Sequence, residues 1–583
     1  YFLNESHRGY CMHFASAGTL LLRSLGVPAR YVSGYVTYAQ TPGSHTVPDR
    51  AAHAWVEVYI DGYGWEPVEV TPVYAGSTPA QSGAEEPEAT PSPTPTPQAR
   101  RAPDSAAPTP TPTPSVSPSP EAAEFALACY PEAGFHPITG SNRTNLALGG
   151  LLYEGLFALD GSFDPQPALA ESYTYDAARY TYTITLRSGV TFSDGSAVTA
   201  QDVANSLRRA QSSARYSGRL AEVSDIRASG GAVRITLTGD NRSFVSRLDI
   251  PIVKSGTESS TFPTGTGPYA YSGEGGAHLA KNASWWQGKS LPLERIELTA
   301  CKDTDSVSYA FYAREVQLLF CDLTGADDSS VYGSGDYTDA ATTIMQYLCL
   351  NTRRAPFDDP AVRRAVTLGV DRASCVSAYL LGHGLAAQFP VSPASGLYPK
   401  DLETAYSQDG YASALEAAGL NTGKTRSLTL LVNQESSFRV STAQTIAAGL
   451  SRYDLQVTVR SLPYDEYVQA LEQGDFDLCL CQVKLTADWD LRPLLQSYAA
   501  MNYGGFTDPE TDALLAALCA AEAGERSAAM TALCEKLLDQ APMVPVCFKS
   551  YSVLLPAGAA SSPITPTASN PFYGISDWKL NMK

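Results

Sequence analysis

No run of apolar residues in this sequence is long enough to span a bilayer, which takes roughly 20 residues. Arg23 and Lys549 interrupt the two best candidates. The sequence also has no tract of Lys and Arg, and its formal net charge is −19. These absences argue against a membrane-spanning segment, against nucleic-acid binding and against attachment to anionic lipid surfaces.

Cysteine is present, but not in the pattern of a disulfide scaffold. The 11 cysteines are scattered and odd in number, whereas small disulfide-rich domains carry dense, even sets. Cys479 and Cys481 share one face of a predicted strand, yet no second Cys or His pair lies nearby, which favours core packing over metal binding. The long C-terminal part contains only His136, His278 and His383, far apart in sequence. We therefore expect no metal centre and no cofactor.

A change of composition divides the chain into three parts. Thirteen of the 40 prolines fall between Val73 and Pro120, and such a segment favours extended polyproline conformations with little to bury. The chain begins at Tyr1, without an initiating methionine or a signal peptide, so we expect a targeting segment upstream. The predicted parts are an N-terminal domain over 1–74, a disordered Pro/Thr/Ser-rich linker over 75–124 and a large body over 125–583.

A cysteine stands at the start of the first predicted helix. Apolar residues recur at helical spacing from Phe14 to Leu25, and Gly26 is a typical helix end. Cys11 therefore lies at a helix N-terminus, where the helix dipole lowers the pKa of a thiol and prepares a nucleophile. A lone cysteine is more often a small buried apolar residue, so the interpretation depends on partners downstream.

Those partners are predicted on a hairpin. Residues 54–60 alternate as a strand, and residues 65–71 return as a second strand. His53 opens the first strand and Glu69 lies on the second, so the fold could bring an imidazole and a carboxylate beside the thiol. Their roles would be general base and orienting group for a Cys11 nucleophile. A structural role for His53, and His13 as an alternative base, stay open.

The stretches GYCMHFASAGTLLLRSLGVPARYVSGY and HAWVEVYIDGYGWEPVEVTP resemble the transglutaminase-like superfamily over residues 1–72. The resemblance implies a partial α+β, papain-like domain at the bacterial cell surface, with Cys11, His53 and Glu69 as its catalytic triad. Two features depart from the family pattern: a Glu replaces the more common Asp, and the N-terminal part of the papain-like core is missing. We therefore expect the triad to be real by descent and its activity to be weak.

Helices and strands alternate over the large body. Residues 180–186 read as a strand, and Thr199 and Asp202 form a capping box at the start of a helix. Asp359, followed by a proline, and Asp371 are N-caps of two further helices. This alternation predicts a large α/β body of more than one lobe.

The motifs LLYEGLF, LRSGVTFSDGSAVTAQDV, GTGPY, LNTRRAPFDDPAVRRAV and TDPETDALL resemble the bacterial extracellular solute-binding proteins of family 5, the peptide-binding components of ABC importers. The resemblance implies a class II periplasmic-binding-protein fold, in which two hinged lobes close on a ligand without catalysis. It places the second lobe at about 351–482. It also implies an extracellular location and an ABC transporter permease as partner, and we expect a monomer.

The segment CQVKLTADWDLRPLL contains the candidate anchor for a peptide ligand. A buried ammonium requires a carboxylate, because an unpaired buried charge is prohibitively costly. By resemblance, Asp488 matches the Asp that peptide-binding members use for the amino terminus of the ligand. Asp490 is its nearest competitor, and an exposed loop acid is the alternative interpretation of Asp488.

Aromatic residues supply further candidates. Trp489 and Tyr503 line the pocket or pack in the core, and Trp285 and Trp286 are better interpreted as first-lobe packing. The motif around Asp488 lacks the tryptophan and the Asp/Glu-Pro pair that often surround it in the family. Some relatives take nickel complexes or other solutes, so a ligand other than a peptide stays open.

The sequence as a whole predicts a cell-surface peptide receptor of an ABC importer, fused to a transglutaminase-like domain. An alternative is a surface cysteine protease or transglutaminase whose large body recruits peptide substrates. A third interpretation is a fusion whose parts have no joint function.

Overall fold

The computed structural model describes the residues 11–24, 27–35, 52–60, 64–68, 70, 125–323, 335–380, 382–420 and 422–581. The chain divides into two compact units, Tyr1–Thr113 and Pro114–Lys583. The linker predicted at 75–124 lies outside the described residues. The limits of 1–74, 75–124 and 125–583 accordingly stay predictions.

The first unit packs a helix on a three-stranded sheet of order β1-β2-β3 in which neighbours are antiparallel. Its elements are α1 (Cys11–Ser24), β1 (Ala29–Tyr35), β2 (Ala52–Ile60) and β3 (Gly64–Val68). Ala15 of the helix shares a small core with Ala54 and Val56 of the central strand. The predicted helix and strands are present, while the turn at 61–63 lies outside the described residues.

The first half of the second unit builds two four-stranded sheets, of order β7-β8-β10-β9 and β11-β12-β13-β4, and a small ribbon of β5 and β6. Its elements are β4 (Ala126–Cys129), α2 (Arg143–Leu152), β5 (Phe157–Leu159), β6 (Pro165–Pro167), β7 (Ala170–Asp176), β8 (Thr181–Leu186), α3 (Ala200–Gln211), β9 (Val223–Ser229), β10 (Ala232–Leu237), β11 (Tyr269–Ser272), β12 (His278–Lys281), β13 (Arg295–Ala300), α4 (Thr304–Tyr312) and β14 (Leu319–Cys321).

The second half builds a seven-stranded sheet of order β14-β20-β15-β19-β17-β18, with β16 paired to β20. Its strands β17, β18 and β19 are mutually parallel, whereas β15 and β20 are antiparallel. The elements are β15 (Gly335–Leu350), α5 (Pro360–Gly369), α6 (Arg372–Tyr379), β16 (Gly384–Ala386), α7 (Gln408–Ala417), β17 (Arg426–Asn433), α8 (Ser437–Leu450), β18 (Leu455–Leu462), α9 (Tyr464–Gln473), β19 (Leu478–Lys484), α10 (Arg492–Leu495), α11 (Pro509–Ala520), α12 (Arg526–Gln540) and β20 (Met543–Pro556).

Strand β20 passes through two separate cores. Val544 and Val546 pack in the core beneath the seven-stranded sheet, whereas Val553 and Leu555 pack with β4 and β11–β13. We call the residues 125–323 and 551–581 the first lobe and the residues 345–548 the second lobe. The pairing of β15 with β20 shifts register between Ala341 and Met345. This irregularity lies where the two lobes meet.

The core of the second lobe defines its extent. Leu515 of α11 and Met530 of α12 pack in one cluster with Met345 and Cys479. The residues that we call the second lobe thus include α11 and α12, while the limits of about 351–482 inferred from the sequence stay a prediction. The two-lobed α/β fold class predicted from the sequence is confirmed.

Local signals placed the helix starts correctly. Thr199 and Asp202 form a reciprocal capping box on α3, and Asp359 and Asp371 cap α5 and α6. Within the described residues, no helix is long and apolar enough to cross a membrane.

Candidate functional site

A cavity of about 1350 Å³ lies between the two lobes. Residues around Arg215 and residues 285–287 form its first-lobe wall, and residues 483–487 form its second-lobe wall. The irregular segment 342–344 of β15 also borders it. The volume exceeds the roughly 300–1,000 Å³ typical of small-molecule pockets, so the cavity has room for a short peptide.

Glu154 fixes an aromatic part of this wall. Its Oε2 accepts a hydrogen bond from Nε1 of Trp286 at 2.6 Å, and its Oε1 accepts from Nε1 of Trp285 at 3.3 Å and from Nε2 of Gln287 at 2.9 Å. Burial raises the pKa of Glu154, although these donors oppose the shift. Both tryptophans pack against first-lobe cores, as expected, and they also face the cavity.

Five basic residues line the cavity: Arg187, Arg215, Arg219, Lys289 and Lys484. Arg215 and Arg219 lie in the segment between α3 and β9, on either side of Tyr216. Their guanidinium carbons stand 5.2 and 5.8 Å from the centre of its ring. Lys484 ends β19 and is paired in register with Ile344. Enclosure by the cavity walls and the charges of Arg219, Arg215 and Arg143 lower the pKa of Lys484 to about 8, although water reaches the side chain.

Asp488 lies in the loop after β19, and its side chain is 1% exposed. Its Oδ2 accepts hydrogen bonds from Nε of Arg247 at 2.7 Å and from Nδ2 of Asn241 at 2.8 Å. Both partners belong to the first lobe, so this carboxylate joins the lobes. Its Oδ1 is buried and has no hydrogen-bond partner among the described residues.

Two arginines donate hydrogen bonds to both carboxylate oxygens of Asp490. Its Oδ1 accepts from N and Nε of Arg492 at 3.1 and 2.8 Å, and its Oδ2 accepts from Nη2 of Arg492 at 2.9 Å and Nη2 of Arg247 at 3.0 Å. Burial alone would raise the pKa of Asp490, but Arg492 and Arg247 hold it well below its usual range. Glu222 accepts hydrogen bonds from Arg492 and Asn241 and completes the cluster.

The structure separates the predicted ligand-binding residues. Asp490 borders the large cavity, whereas Asp488, Trp489 and Tyr503 do not border it in the part of the chain that the structure describes. Trp489 is 1% exposed and packs edge-on against Phe163 of the first lobe. Tyr503 is half-buried and borders a second, much smaller pocket. The ligand roles of all four residues stay predictions.

Sequence reasoning missed Asn241, Arg247 and Lys484. No local pattern marks them, because their importance comes from contacts across the lobes. Glu154 stands inside LLYEGLF, one of the motifs that carry the family resemblance. A polar residue in an otherwise apolar motif was a usable signal.

The first unit holds two of the predicted triad residues. Cys11 opens α1, which packs on β2, and His53 lies on β2 with 5% of its surface exposed. Cys11 packs against the small core that includes Ala54. Glu69 lies outside the described residues, so the triad stays a prediction.

The cysteines all lie in the described part of the chain, and each is a free thiol. Cys479 and Cys481 are buried in the second-lobe core, with their sulfur atoms 3.5 Å apart. Among the described residues, no group of three or more His, Cys, Asp or Glu side chains could hold a metal ion.

Each of the two units matches the model of a known protein family. Residues 1–70 match the model of the transglutaminase-like superfamily, and residues 164–500 match that of the bacterial extracellular solute-binding proteins, family 5 Middle. The glutathione-binding protein GsiB of Shigella flexneri is 28% identical over 291 residues, which are 47% of this chain and 55% of the relative. The match thus spans about half the length of that relative.

Solved structures show the same fold. The periplasmic murein tripeptide binding protein MppA, in its unliganded open form, superposes with a TM-score of 0.65 and 18% identity, covering 76% of this chain and 95% of that one. A nickel ABC transporter structure from Bacillus halodurans has a TM-score of 0.66 and 22% identity, covering 77% and 98%. Since the family model matches more than half of the sequence, the chain belongs to the bacterial extracellular solute-binding proteins of family 5.

Proposed function

We propose that this chain is the ligand-binding component of an ABC importer and holds a short peptide between its lobes. Membership of family 5 and the cavity at the lobe boundary support the proposal. Two similar proteins are named for peptides, glutathione and a murein tripeptide. The family is extracellular by description, and we place this chain outside the cell, as a monomer that delivers its ligand to a permease.

The buried Oδ1 of Asp488 is the observation that carries the proposal. Both carboxylate oxygens of Asp490 already accept hydrogen bonds from Arg492, through its backbone and its side chain, and from the Arg247 side chain. Asp488 keeps one oxygen without a hydrogen-bond partner among the described residues. A buried carboxylate oxygen of this kind suits a peptide ammonium, and separation of the lobes would expose it to an entering ligand.

Calorimetry with trialanine and N-acetyl-trialanine tests this role of Asp488. Acetylation removes the ammonium, so it should weaken binding to the unmutated protein by at least about tenfold. Asp488→Asn should bind both peptides with the same weak affinity, because the interaction is already gone. Asp490→Asn is the matched control: it should lower stability but keep the ratio between the two peptides.

Two results would count against the proposal. Equal affinities of the unmutated protein for the two peptides would remove the ammonium as the anchor. Binding of a nickel complex, with no binding of either peptide, would replace the ligand class altogether.

A second candidate function is acyl transfer or peptide cleavage by the first unit. The match of residues 1–70 and the packing of α1 on the strand that carries His53 favour it. Cys11 should alkylate near neutral pH faster than the body thiols, since burial raises the pKa of Cys129 to about 11 and that of Cys375 to about 12.

His53→Ala should slow the alkylation of Cys11 if the imidazole activates the thiol. The matched control is His13→Ala, which should leave the rate unchanged. A rate at Cys11 that neither substitution changes would end the enzyme interpretation.

A further inference from the structure

A histidine and an aspartate meet where the chain passes between the two lobes. His383 directly precedes β16, which pairs with the second-lobe part of β20. Its Nδ1 lies 3.1 Å from both carboxylate oxygens of Asp339. Asp339 stands on β15 opposite Ser552, whose Oγ donates to Oδ1 of Asp339 at 2.6 Å. Since Ser552 belongs to the first lobe and His383 to the second, this contact crosses the lobe boundary.

The contact lies on the side of the boundary that faces away from the cavity. Tyr551 lines the cavity, and side chains alternate along a strand, so its neighbour Ser552 points to the opposite face of the sheet. In the described part of the chain, neither Ser552 nor Asp339 nor His383 borders the cavity. A rotation that opens the cavity moves the two lobes relative to each other, so it also changes the distance between His383 and Asp339.

The lobes are closed on each other in this structure. The backbone N of Arg242, in the first lobe, donates to O of Cys519 on α11 at 2.9 Å. The ion pair of Arg247 with Asp488 also joins the lobes. The contact between His383 and Asp339 is therefore part of the closed arrangement.

Asp339 is the carboxylate that a protonated His383 meets. Their side chains are 28% and 12% exposed, and the ring of Tyr337 packs edge-on against the imidazole, with the ring centres 5.0 Å apart. Burial raises the pKa of the thiols on the packed elements, Cys375 on α6 and Cys547 on β20, so both stay neutral. Charged groups on these elements have other partners: Lys549 with Asp322, Arg372 with the carbonyl of Pro545, and Asp336 with the backbone N–H of Gly558.

We propose that His383 and Asp339 form a pH-sensitive clasp, which holds the lobes closed more firmly when the imidazole is protonated. Imidazole side chains take up a proton between about pH 8 and pH 5. A hydrogen bond between two charged groups is roughly twice as strong as one between neutral groups. Acid pH therefore favours the closed arrangement without any change in the cavity wall. The clasp needs no ligand, so it adds control of lobe closure to the proposed binding function.

Hydrogen–deuterium exchange of the full chain without ligand tests the clasp. The amide of Arg242 reports closure, because its hydrogen bond to Cys519 joins the lobes. At pH 5.5 the peptide that contains this amide should be about threefold more protected in the unmutated protein than in His383→Gln, and about equally protected at pH 7.5. Comparison at the same pH cancels the intrinsic exchange rate and the titration of Lys484. His383→Lys carries a fixed charge and should stay protected at both pH values.

Two aspartates on β15 provide the matched pair of variants. Asp339→Asn should lose protection at pH 5.5 as His383→Gln does. Asp336→Asn removes an exposed carboxylate that accepts from the backbone of Gly558, so it should behave as the unmutated protein. Equal protection of the unmutated protein and His383→Gln at pH 5.5, or full protection of Asp339→Asn there, would overturn the clasp. Either result would leave peptide binding untouched, because no ligand enters the experiment. A loss of protection that is confined to pH 5.5 separates the clasp from misfolding, which would lower protection at both pH values.

Discussion

The Arg247 side chain is 4% exposed and is shared by the carboxylates of Asp488 and Asp490. Burial alone would lower its pKa, but Asp488, Glu222 and Asp490 raise it above its ordinary value. Removing one partner of a buried ion pair leaves an uncompensated charge, which typically costs about 3–5 kcal/mol. Arg247→Met should therefore lower the free energy of unfolding of the second unit by about that amount in urea titrations.

The control for this substitution is Arg227→Met. Arg227 pairs with Asp225 on β9, and their side chains are 75% and 43% exposed. Exposed pairs contribute about 0–1 kcal/mol, so this variant should unfold close to the unmutated protein. Equal stabilities of the Arg247 and Arg227 variants would show that the charge cluster does not hold the lobes together.

The lowered pKa of Lys484 predicts that binding of the proposed peptide ligand depends on pH. Its pKa of about 8 means that the ammonium is lost as the pH rises through 8, well below the range of an ordinary lysine. If a ligand carboxylate pairs with this ammonium, affinity at pH 9 should fall by about tenfold relative to pH 7. Arg215, Arg219 and Arg143, which face Lys484, keep their charge over this range.

Lys484→Arg is the matched variant for the pH experiment. An arginine stays charged at pH 9, and the peptide's own groups titrate identically with both proteins. The ratio of the two proteins' affinities should therefore isolate the titration of Lys484. A ratio that stays constant from pH 7 to pH 9 would contradict the role of this ammonium.

Individual site residues could be predicted from the sequence where they belong to a recognisable motif. Asp488 and Asp490 stood in a recognisable segment, and the structure places both in the cluster between the lobes. Arg247 lies 241 residues from Asp488 along the chain, and nothing near it in sequence indicates a buried charge. Such partners are set by tertiary contacts, which one sequence does not display.

At the scale of elements, the start of α3 is fixed by a reciprocal capping box between Thr199 and Asp202. Oδ2 of Asp202 accepts from N of Thr199 at 2.9 Å, and its Oδ1 accepts from N of Ser255 at 2.9 Å. Asp202→Ala removes both bonds and should lower the free energy of unfolding by about 1–2 kcal/mol. Gln201→Ala, at an exposed neighbouring position, should change it by less than about 0.5 kcal/mol.

The capping box of α3 also predicts how the free energy of unfolding depends on pH. Burial raises the pKa of Asp202, but hydrogen bonds from Thr199 and Ser255 outweigh it and lower the pKa overall. The stabilisation is therefore present above the unfolded value of about 3.9 and is lost as the pH falls through the folded pKa. The stability difference between Asp202→Ala and the unmutated protein should shrink in acid, and a constant difference would contradict the role of the carboxylate.

Elements were predictable because their signals are local. The caps Thr199, Asp359 and Asp371 appear in the structure where the sequence placed them. The pairing of β15 with β20 was not predicted, since it joins residues about 200 positions apart. The same pairing carries the chain between the lobes.

At the scale of the whole molecule, the described cores divide cleanly between the two units. One small core contains residues of the first unit alone, and five contain residues of the second unit alone. The composition of the sequence indicated this division, because the proline-rich stretch separates two segments with apolar periodicity. The charges inside the cavity could not be predicted in this way, because they come from segments that meet only after both lobes have formed.

A chain beginning at Phe125 should therefore fold and bind as the full chain does. Phe125 packs in a first-lobe core, so this start keeps every described core residue of the second unit. We expect its affinity for trialanine to agree with that of the full chain within about twofold, a difference of about 0.4 kcal/mol. A chain beginning at Arg143 is the matched control: it lacks β4, which pairs in parallel with β13, and should lose stability. Loss of binding in the Phe125 variant, with the fold retained by circular dichroism, would show that the first unit contributes to the peptide site.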